Sequence, residues 1–141
     1  MDSLIGLWSV GALESREAGD NTAIVFLADG AGWIEYWKTR LLELETFRWK
    51  ADAAGKLQLH GVVSYTWQGE EKPSELRLRD VQVAIGRSTV QSGGEIDMIT
   101  FDRPVWGKEM RFGLVRKDAA REQFPSFEER EAEKERSGWS R

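Results

Sequence analysis

The chain has 141 residues, 40% of them apolar, and a formal net charge of −4. This length suits one domain with a hydrophobic core. The absence of cysteine excludes disulfides, thiol nucleophiles and cysteine-type zinc sites. The acidic balance argues against nucleic acid as a partner. No apolar run approaches the roughly 18 residues of a membrane helix, and the acidic start is unlike a secretory signal. We therefore expect a cytoplasmic protein that does not associate with membranes.

The first part of the chain predicts a short strand and a loop. Seven tryptophans favour β structure in general, because large aromatic side chains fit a pleated surface. Residues 4–10 alternate with period two, so that Gly6 and Trp8 share one face of a first strand. Residues 11–21 contain Gly11, Gly19, Asp20 and Asn21, and they predict a loop.

Residues 22–38 predict a β-hairpin around Asp29 and Gly30, a dipeptide that suits a two-residue type I′ turn. In that register Phe26 faces Trp33. One face of the hairpin then carries Phe26, Trp33 and Trp37, and the other carries Val25, Leu27, Ile34 and Tyr36. A barrel wall needs only one apolar face. We therefore expect the C-terminal segment or another subunit to cover the second face.

The rest of the chain to residue 117 predicts further strands with short turns. They span residues 43–51, 56–68, 75–85, 95–101 and 109–116. In the longest of them Leu57, Leu59, Gly61, Val63, Tyr65 and Trp67 share one side. The alternation changes phase near Arg79 and Asp80, which predicts a β-bulge. About eight such strands are typical of an all-β fold, a single up-and-down antiparallel β-barrel that closes its own edges.

Residues 118–141 differ in character from the barrel region 1–117. Glycine is absent until Gly138, and Glu and Arg follow one another irregularly. Ser126 and Glu129 have the spacing of a capping box, so we predict a short C-terminal helix or tail.

The sequence Gly6-Leu7-Trp8 on the first strand, followed by an antiparallel meander, resembles small bacterial lipocalin-like proteins of the calycin superfamily. The resemblance implies that Trp8 plugs the closed end of the barrel and that Gly6 leaves room for its ring. It also implies that a basic residue after the last strand, Arg116 or Lys117, lies across the indole, where a cation–π contact contributes roughly 0.5–2 kcal/mol.

Aromatic side chains and one carboxylate are the candidate ligand site. The predicted ligand-binding residues are Trp33, Trp37, Glu45, Phe47, Trp49, Tyr65 and Trp67, with Glu35 as an alternative anchor. Barrels of about eight strands are either filled by side chains or wide enough for one small ligand, and both alternatives remain open. His60 is the only histidine, and it falls on the polar side of its strand. We therefore assign no catalytic residue, metal or cofactor.

The leading functional hypothesis is non-enzymatic binding of a small hydrophobic molecule, oriented by Glu45 or Glu35. A second hypothesis is a protein–protein interaction module or homodimer with a filled barrel, which would use Phe26, Trp33 and Trp37. A third is a lipocalin-like cyclase or isomerase that shapes an apolar substrate, although such catalysis leaves no motif in a sequence.

Overall fold

The computed structural model describes residues 2–13, 20–90 and 92–125, and it shows an almost purely antiparallel β structure. The strands are β1 (Gly6–Ser9), β2 (Asp20–Phe26), β3 (Ala31–Lys38), β4 (Arg40–Ala51), β5 (Lys56–Thr66), β6 (Glu71–Pro73), β7 (Arg77–Thr89), β8 (Glu95–Phe101) and β9 (Arg111–Arg116). Short 3₁₀ turns lie at Asp2–Leu4 and Arg121–Gln123. The predicted all-β class is confirmed.

The sheet closes into a ring. Its strand order is β4-β3-β2-β1-β9-β8-β7-β5-β6, and β4 also pairs with β5. The short strand β6 pairs with the second half of β5, while β7 pairs with the first half. Strands β6 and β7 therefore form consecutive pieces of one wall. Counted this way, the wall has the predicted eight up-and-down strands, and no long edge is left unpaired.

The bulge predicted near Arg79 and Asp80 is confirmed. Leu57 and Leu59 of β5 pair with Val81 and Leu78 of β7, so β7 has one extra residue between them. Asp80 absorbs the irregularity with a left-handed backbone, φ 53°. Because of this extra residue, side chains on both sides of the bulge, Leu78 and Val81, reach the same inner core.

The turn between β2 and β3 is one residue longer than the predicted type I′ turn. The Leu27 amide donates to the Ala31 carbonyl at 2.9 Å, and the Gly30 amide donates to the Leu27 carbonyl at 3.2 Å. Residues 28–30 thus form a three-residue loop that ends on Gly30, whose φ of 89° suits glycine.

This longer loop overturns the predicted pairing of Phe26 with Trp33. Phe26 pairs with Gly32, and Trp33 pairs with Val25. Because side chains alternate across a strand, a shift of one residue moves every side chain of β3 to the opposite face. Phe26 consequently lies inside the barrel, while Trp33 lies on the outer surface of the wall.

Two apolar clusters occupy the two faces of this wall. The inner cluster includes Trp8, Ile24, Phe26, Ile34, Phe47, Leu57, Leu59, Val81, Val83, Ile99, Phe101 and Phe112. The outer cluster consists of Val25, Leu27, Trp33 and Leu44, with Tyr65 and Ala119 packed against it. The barrel core is therefore aromatic-rich, as the composition predicts, and a second core lies beneath the C-terminal segment.

One end of the barrel is sealed by the start of the chain. Trp8 is almost fully buried, and its indole N–H donates to the Leu4 carbonyl at 2.9 Å. A Cβ on Gly6 would meet the Arg116 carbonyl oxygen at 2.8 Å, and the φ of Gly6 is 146°. Glycine is therefore needed at this position for the strands to approach each other. We call this the closed end, and the opposite end the far end.

The described residues contain no helix that is long and apolar enough to cross a membrane. The helix predicted to begin near Ser126 lies outside the described residues. Residues 118–125 run along the barrel as an irregular segment with the 3₁₀ turn Arg121–Gln123.

Candidate functional site

The predicted plug residues Gly6 and Trp8 lie at the closed end, where the pairing of Leu7 with Arg116 also brings the two candidate basic residues. The Arg116 side chain is exposed on β9, whereas the Lys117 ammonium donates to the Ser3 carbonyl at 3.0 Å. Among the described residues, a cation–π contact is found elsewhere, with the Arg40 guanidinium 4.7 Å from the centre of the Trp67 ring.

Phe47 and Trp49, two predicted ligand-binding residues, point into the barrel and pack in its core. Phe26 makes edge-to-face contacts with both rings, with centroid distances of 5.6 and 5.3 Å. The Trp49 N–H donates to the carbonyls of Leu27 and Ala31, at 3.1 and 3.0 Å. These rings therefore pack as core side chains near the closed end. They fill the space in which the sequence predicts a ligand.

Tyr65 and Trp67 lie outside the barrel because β5 contains a second bulge. Glu45 pairs with Ser64, whereas Phe47 pairs with Gly61, so β5 has an extra residue between those two positions. The bulge reverses the faces of β5 beyond it. Tyr65 packs on the outer cluster, and Trp67 follows the strand with 44% of its surface exposed.

Trp33 and Trp37, the remaining predicted aromatic residues, share the outer face with Glu35. The two indole N–H groups donate to different oxygens of the Glu35 carboxylate, at 2.8 Å from Trp33 and 2.9 Å from Trp37. This satisfies the polar atoms of both indoles, which buried tryptophans require. Glu35 therefore has a structural role on the outer wall and is not an anchor inside the barrel.

The C-terminal segment covers part of this outer face, one of the two coverings that the sequence predicts. Phe124 packs edge-to-face on Trp33 with a centroid distance of 5.1 Å, and Ala119 joins the outer cluster. Arg121 is paired with Asp29 at 2.6 Å. Phe26, Trp33 and Trp37 do not share one exposed face, because Phe26 lies inside the barrel and Trp33 is 3% exposed.

The pKa of the Asp29 carboxylate tests whether the C-terminal segment covers the outer face. The Ala31 amide and, to a smaller extent, Arg121 hold the pKa of Asp29 below its ordinary value of 3.8. A carboxylate whose pKa is lowered in the folded state stabilises that state at pH values above its ordinary pKa. This stabilisation is lost as the pH falls through the lowered pKa.

In the variant Arg121→Ala we expect the pKa of Asp29 to rise while staying below 3.8, because the Ala31 amide still donates. An NMR titration of the Asp29 carboxyl carbon measures this. A pKa unchanged by the substitution would show that Arg121 does not contact Asp29 in solution.

Glu45 is the predicted site residue that reaches the interior away from the filled core. It pairs with Ile34 on one side and Ser64 on the other, so it shares their inward face. Its residue exposure is 8%, and the Ser74 hydroxyl donates a short hydrogen bond to its Oε1. The Leu76 amide donates to the same hydroxyl oxygen at 3.1 Å, which directs the single hydroxyl proton towards Glu45.

Gly61 makes room for this buried pair. A Cβ at Gly61 would overlap the Ser74 side chain and would lie 2.9 Å from the Leu76 Cβ. The second carboxyl oxygen of Glu45, Oε2, receives no hydrogen bond from any described residue. A buried acceptor of this kind is costly unless a donor reaches it.

Two aromatic residues of the far end were missed by the sequence analysis. Tyr36 pairs with Thr22 and Glu43, which places it on the inward face beyond Ile34. Trp106, in the connection between β8 and β9, packs on the inner cluster, and its ring centre is 6.5 Å from that of Tyr36. Tyr36 was missed because the predicted hairpin register put it on the other face.

Ser74 was also missed, although the sequence contained a signal for it. Leu76 and Leu78 are alternate residues that both pack on the inner cluster, and the same alternation extended backwards reaches Ser74 and Lys72. The far end therefore adds a polar group of neighbouring residues to its aromatic ones, because Ser64 pairs with both Glu45 and Lys72.

His60 is exposed on the outer wall, and the residues described here contain no group of three or more His, Cys, Asp or Glu that is able to hold a metal ion. Comparisons of the chain with models of known protein families, with curated proteins and with solved structures find no match.

Proposed function

We propose that the protein is a lipocalin-like binding protein that holds one small, largely apolar molecule in the far end of its barrel. A hydrogen-bond donor of that molecule would bind Glu45. The observation that carries the proposal is that Glu45 is 8% exposed and that no described residue supplies its Oε2 with a donor. An unsatisfied buried polar group costs about 1–3 kcal/mol, so a ligand that brings an N–H group to this oxygen gains that amount.

The two ends of the barrel differ in a way that supports entry at the far end. Trp8 and Trp49 fill the closed end, and both bond their indole N–H groups to backbone carbonyls. At the far end Tyr36 and Trp106 face each other in a tilted arrangement. Aromatic walls with one converging polar group are typical of small-molecule sites, and eight-stranded barrels have room for one such ligand.

The chemistry of Glu45 favours a ligand with an amine. A carboxyl group that already accepts from Ser74 has acceptor capacity left and no other use in the described structure. An ammonium group gives it a charge-assisted hydrogen bond, which is about twice as strong as a neutral one. The expected ligand class is therefore an aryl-alkyl amine, with the ring near Tyr36 and Trp106 and the nitrogen at Glu45.

The test uses phenethylamine and tryptamine as probes, with ethylbenzene as the analogue that lacks the amine. We expect both amines to shift the NMR signals of residues near Glu45 and ethylbenzene to bind about tenfold or more weakly. The variant Glu45→Gln should weaken amine binding by about 10-fold to 100-fold, because it removes the charge and retains the shape.

The matched control is Glu35→Gln, the same substitution on the neighbouring strand but on the outer face. It should leave amine affinity unchanged. Equal binding of ethylbenzene and phenethylamine would contradict the proposal, as would amine binding that survives in Glu45→Gln. Failure of both amines to bind at millimolar concentration would contradict it too.

A further inference from the structure

The outer face of β4, β5 and β7 carries a row of basic side chains. Arg48 pairs with His60, and His60 pairs with Arg77, so the three side chains stand next to one another across three strands. Phe47 and Trp49, on either side of Arg48, belong to the inner core. The alternation therefore places this row on the solvent side of the wall, opposite the barrel interior.

A cavity of about 750 Å³ borders this row and is also lined by the inner-facing residues Trp49, Leu59 and Leu78, and we call it the basic groove. Its charged and imidazole-bearing lining residues are Arg48, Lys50, Asp52, Lys56, His60, Arg77 and Arg79. Five cations thus face one carboxylate, in a protein whose net charge is −4. This concentration of positive charge raises the local concentration of anions.

None of the five cations forms an ion pair with another residue that the structure describes. Salt bridges among the described residues involve Arg87, Arg103 and Arg121, which lie outside the groove. Two of the groove arginines donate to backbone carbonyls, Arg48 to that of Asp29 and Arg77 to that of Leu76, both at 3.2 Å.

The one carboxylate of the groove, that of Asp52, accepts hydrogen bonds from backbone amides of its own turn. Asp52 Oδ1 accepts from the amides of Ala54 and Lys56, both at 2.9 Å. Asp80, on the bulge beside the groove, is likewise bonded to the Gln58 side chain. Asp52 therefore stabilises its own turn and Asp80 is bonded to Gln58, and neither carboxylate forms an ion pair with a described arginine of the groove.

We propose that the basic groove binds a small molecule that carries several phosphate groups. Arginine presents a planar fork of donors that matches phosphate oxygens, and Arg48, Arg77 and Arg79 supply three such forks. The volume lies within the range of small-molecule sites. Trp49 is the aromatic residue of the lining, and its N–H is bonded to carbonyls on the inner side. A single-stranded nucleic acid, which binds through exposed stacking rings, is therefore the less suitable occupant.

The test is isothermal titration of the full-length protein with inorganic tripolyphosphate at about 50 mM and about 300 mM salt. We expect saturable binding that weakens with salt. The double variant Arg77→Gln with Arg79→Gln should bind about tenfold or more weakly, because two charge-assisted contacts are lost. The control double variant, Arg111→Gln with Arg116→Gln, removes the same charge from exposed positions of β9 and should lose less than about twofold.

Equal losses in the two double variants would overturn the proposal, because the binding would then depend on net charge alone. Absence of binding by the unmodified protein at low salt would overturn it as well. A parallel titration uses a short single-stranded DNA. Binding of the DNA without binding of tripolyphosphate would assign the groove to a polymer and would also overturn it. Circular dichroism of each variant shows that the barrel remains folded.

Discussion

Replacement of Trp8 by alanine is expected to lower the free energy of unfolding by about 3–5 kcal/mol. The indole is 1% exposed and belongs to the inner cluster, so its removal leaves a large cavity at the closed end. The substitution also leaves the Leu4 carbonyl without its donor. Urea denaturation followed by far-ultraviolet circular dichroism measures the change.

Trp67→Ala is the matched control for this experiment. Trp67 is 44% exposed, and its described side-chain contact is with the Arg40 guanidinium. The expected loss is about 0.5–1 kcal/mol, the value of an exposed cation–π contact. Losses of equal size in the two variants would show that Trp8 does not seal the barrel.

The variant Gly32→Ala is expected to lose about 1–3 kcal/mol, the usual cost of overpacking. A methyl group at this position would overlap the ring of Phe47 and the carbonyl oxygen of Val25. The backbone oxygen has no freedom to move without disturbing the pairing of β2 and β3, so repacking of Phe47 alone does not relieve the strain.

Gly86→Ala is the same substitution where nothing lies within 4 Å of the added carbon. There we expect no loss, or a gain of about 0.4–1 kcal/mol from a less flexible unfolded chain. Opposite signs at the two glycines would support the register that pairs Gly32 with Phe26. If Gly32→Ala proved as harmless as Gly86→Ala, Gly32 would not lie against Phe47.

The alternation of side chains predicts much of the wall. It gives the eight-strand count, it places β8 at residues 95–101, and it locates the bulge at Arg79 and Asp80. These predictions succeed because a strand with one solvent-exposed face alternates polar and apolar side chains. A bulge changes the phase of that alternation, and the change can be seen in the sequence. Trp8 and Gly6 lie together at the closed end, and a lipocalin-type plug role for Trp8 stays a prediction.

The candidate site is harder to predict because two local choices decide which face each side chain occupies. The dipeptide Asp29-Gly30 suits a two-residue turn, and Gly30 equally suits the last position of a three-residue loop. Both faces of the hairpin are apolar, so the hydrophobic pattern does not distinguish the two registers. A difference of one residue moved Trp33 and Trp37 outside the barrel.

The bulge in β5 depends on a partner from another strand. The Thr46 hydroxyl accepts from the Val63 amide at 3.0 Å and donates to the Val63 carbonyl at 3.3 Å, which satisfies the backbone at the irregularity. Gly61 is a local feature that fits a bend in β5, but Val63, Tyr65 and Trp67 continue the apolar alternation and so hide the change of face. Tyr65 and Trp67 were misplaced for that reason, whereas Glu45 lies two residues from Phe47 on β4 and shares its inward face.

The binding proposal requires a barrel interior, and that interior exists only if the sheet closes between β1 and β9. Interstrand NOEs test this closure most directly. In a sample that mixes labelled and unlabelled chains, we expect intramolecular backbone NOEs between Ser9 and Gly113 and, at the β4–β5 contact, between Leu44 and Tyr65. Observation of both sets in one chain shows a closed barrel. Strong Leu44–Tyr65 NOEs without any between Ser9 and Gly113 would show an open sheet and contradict it.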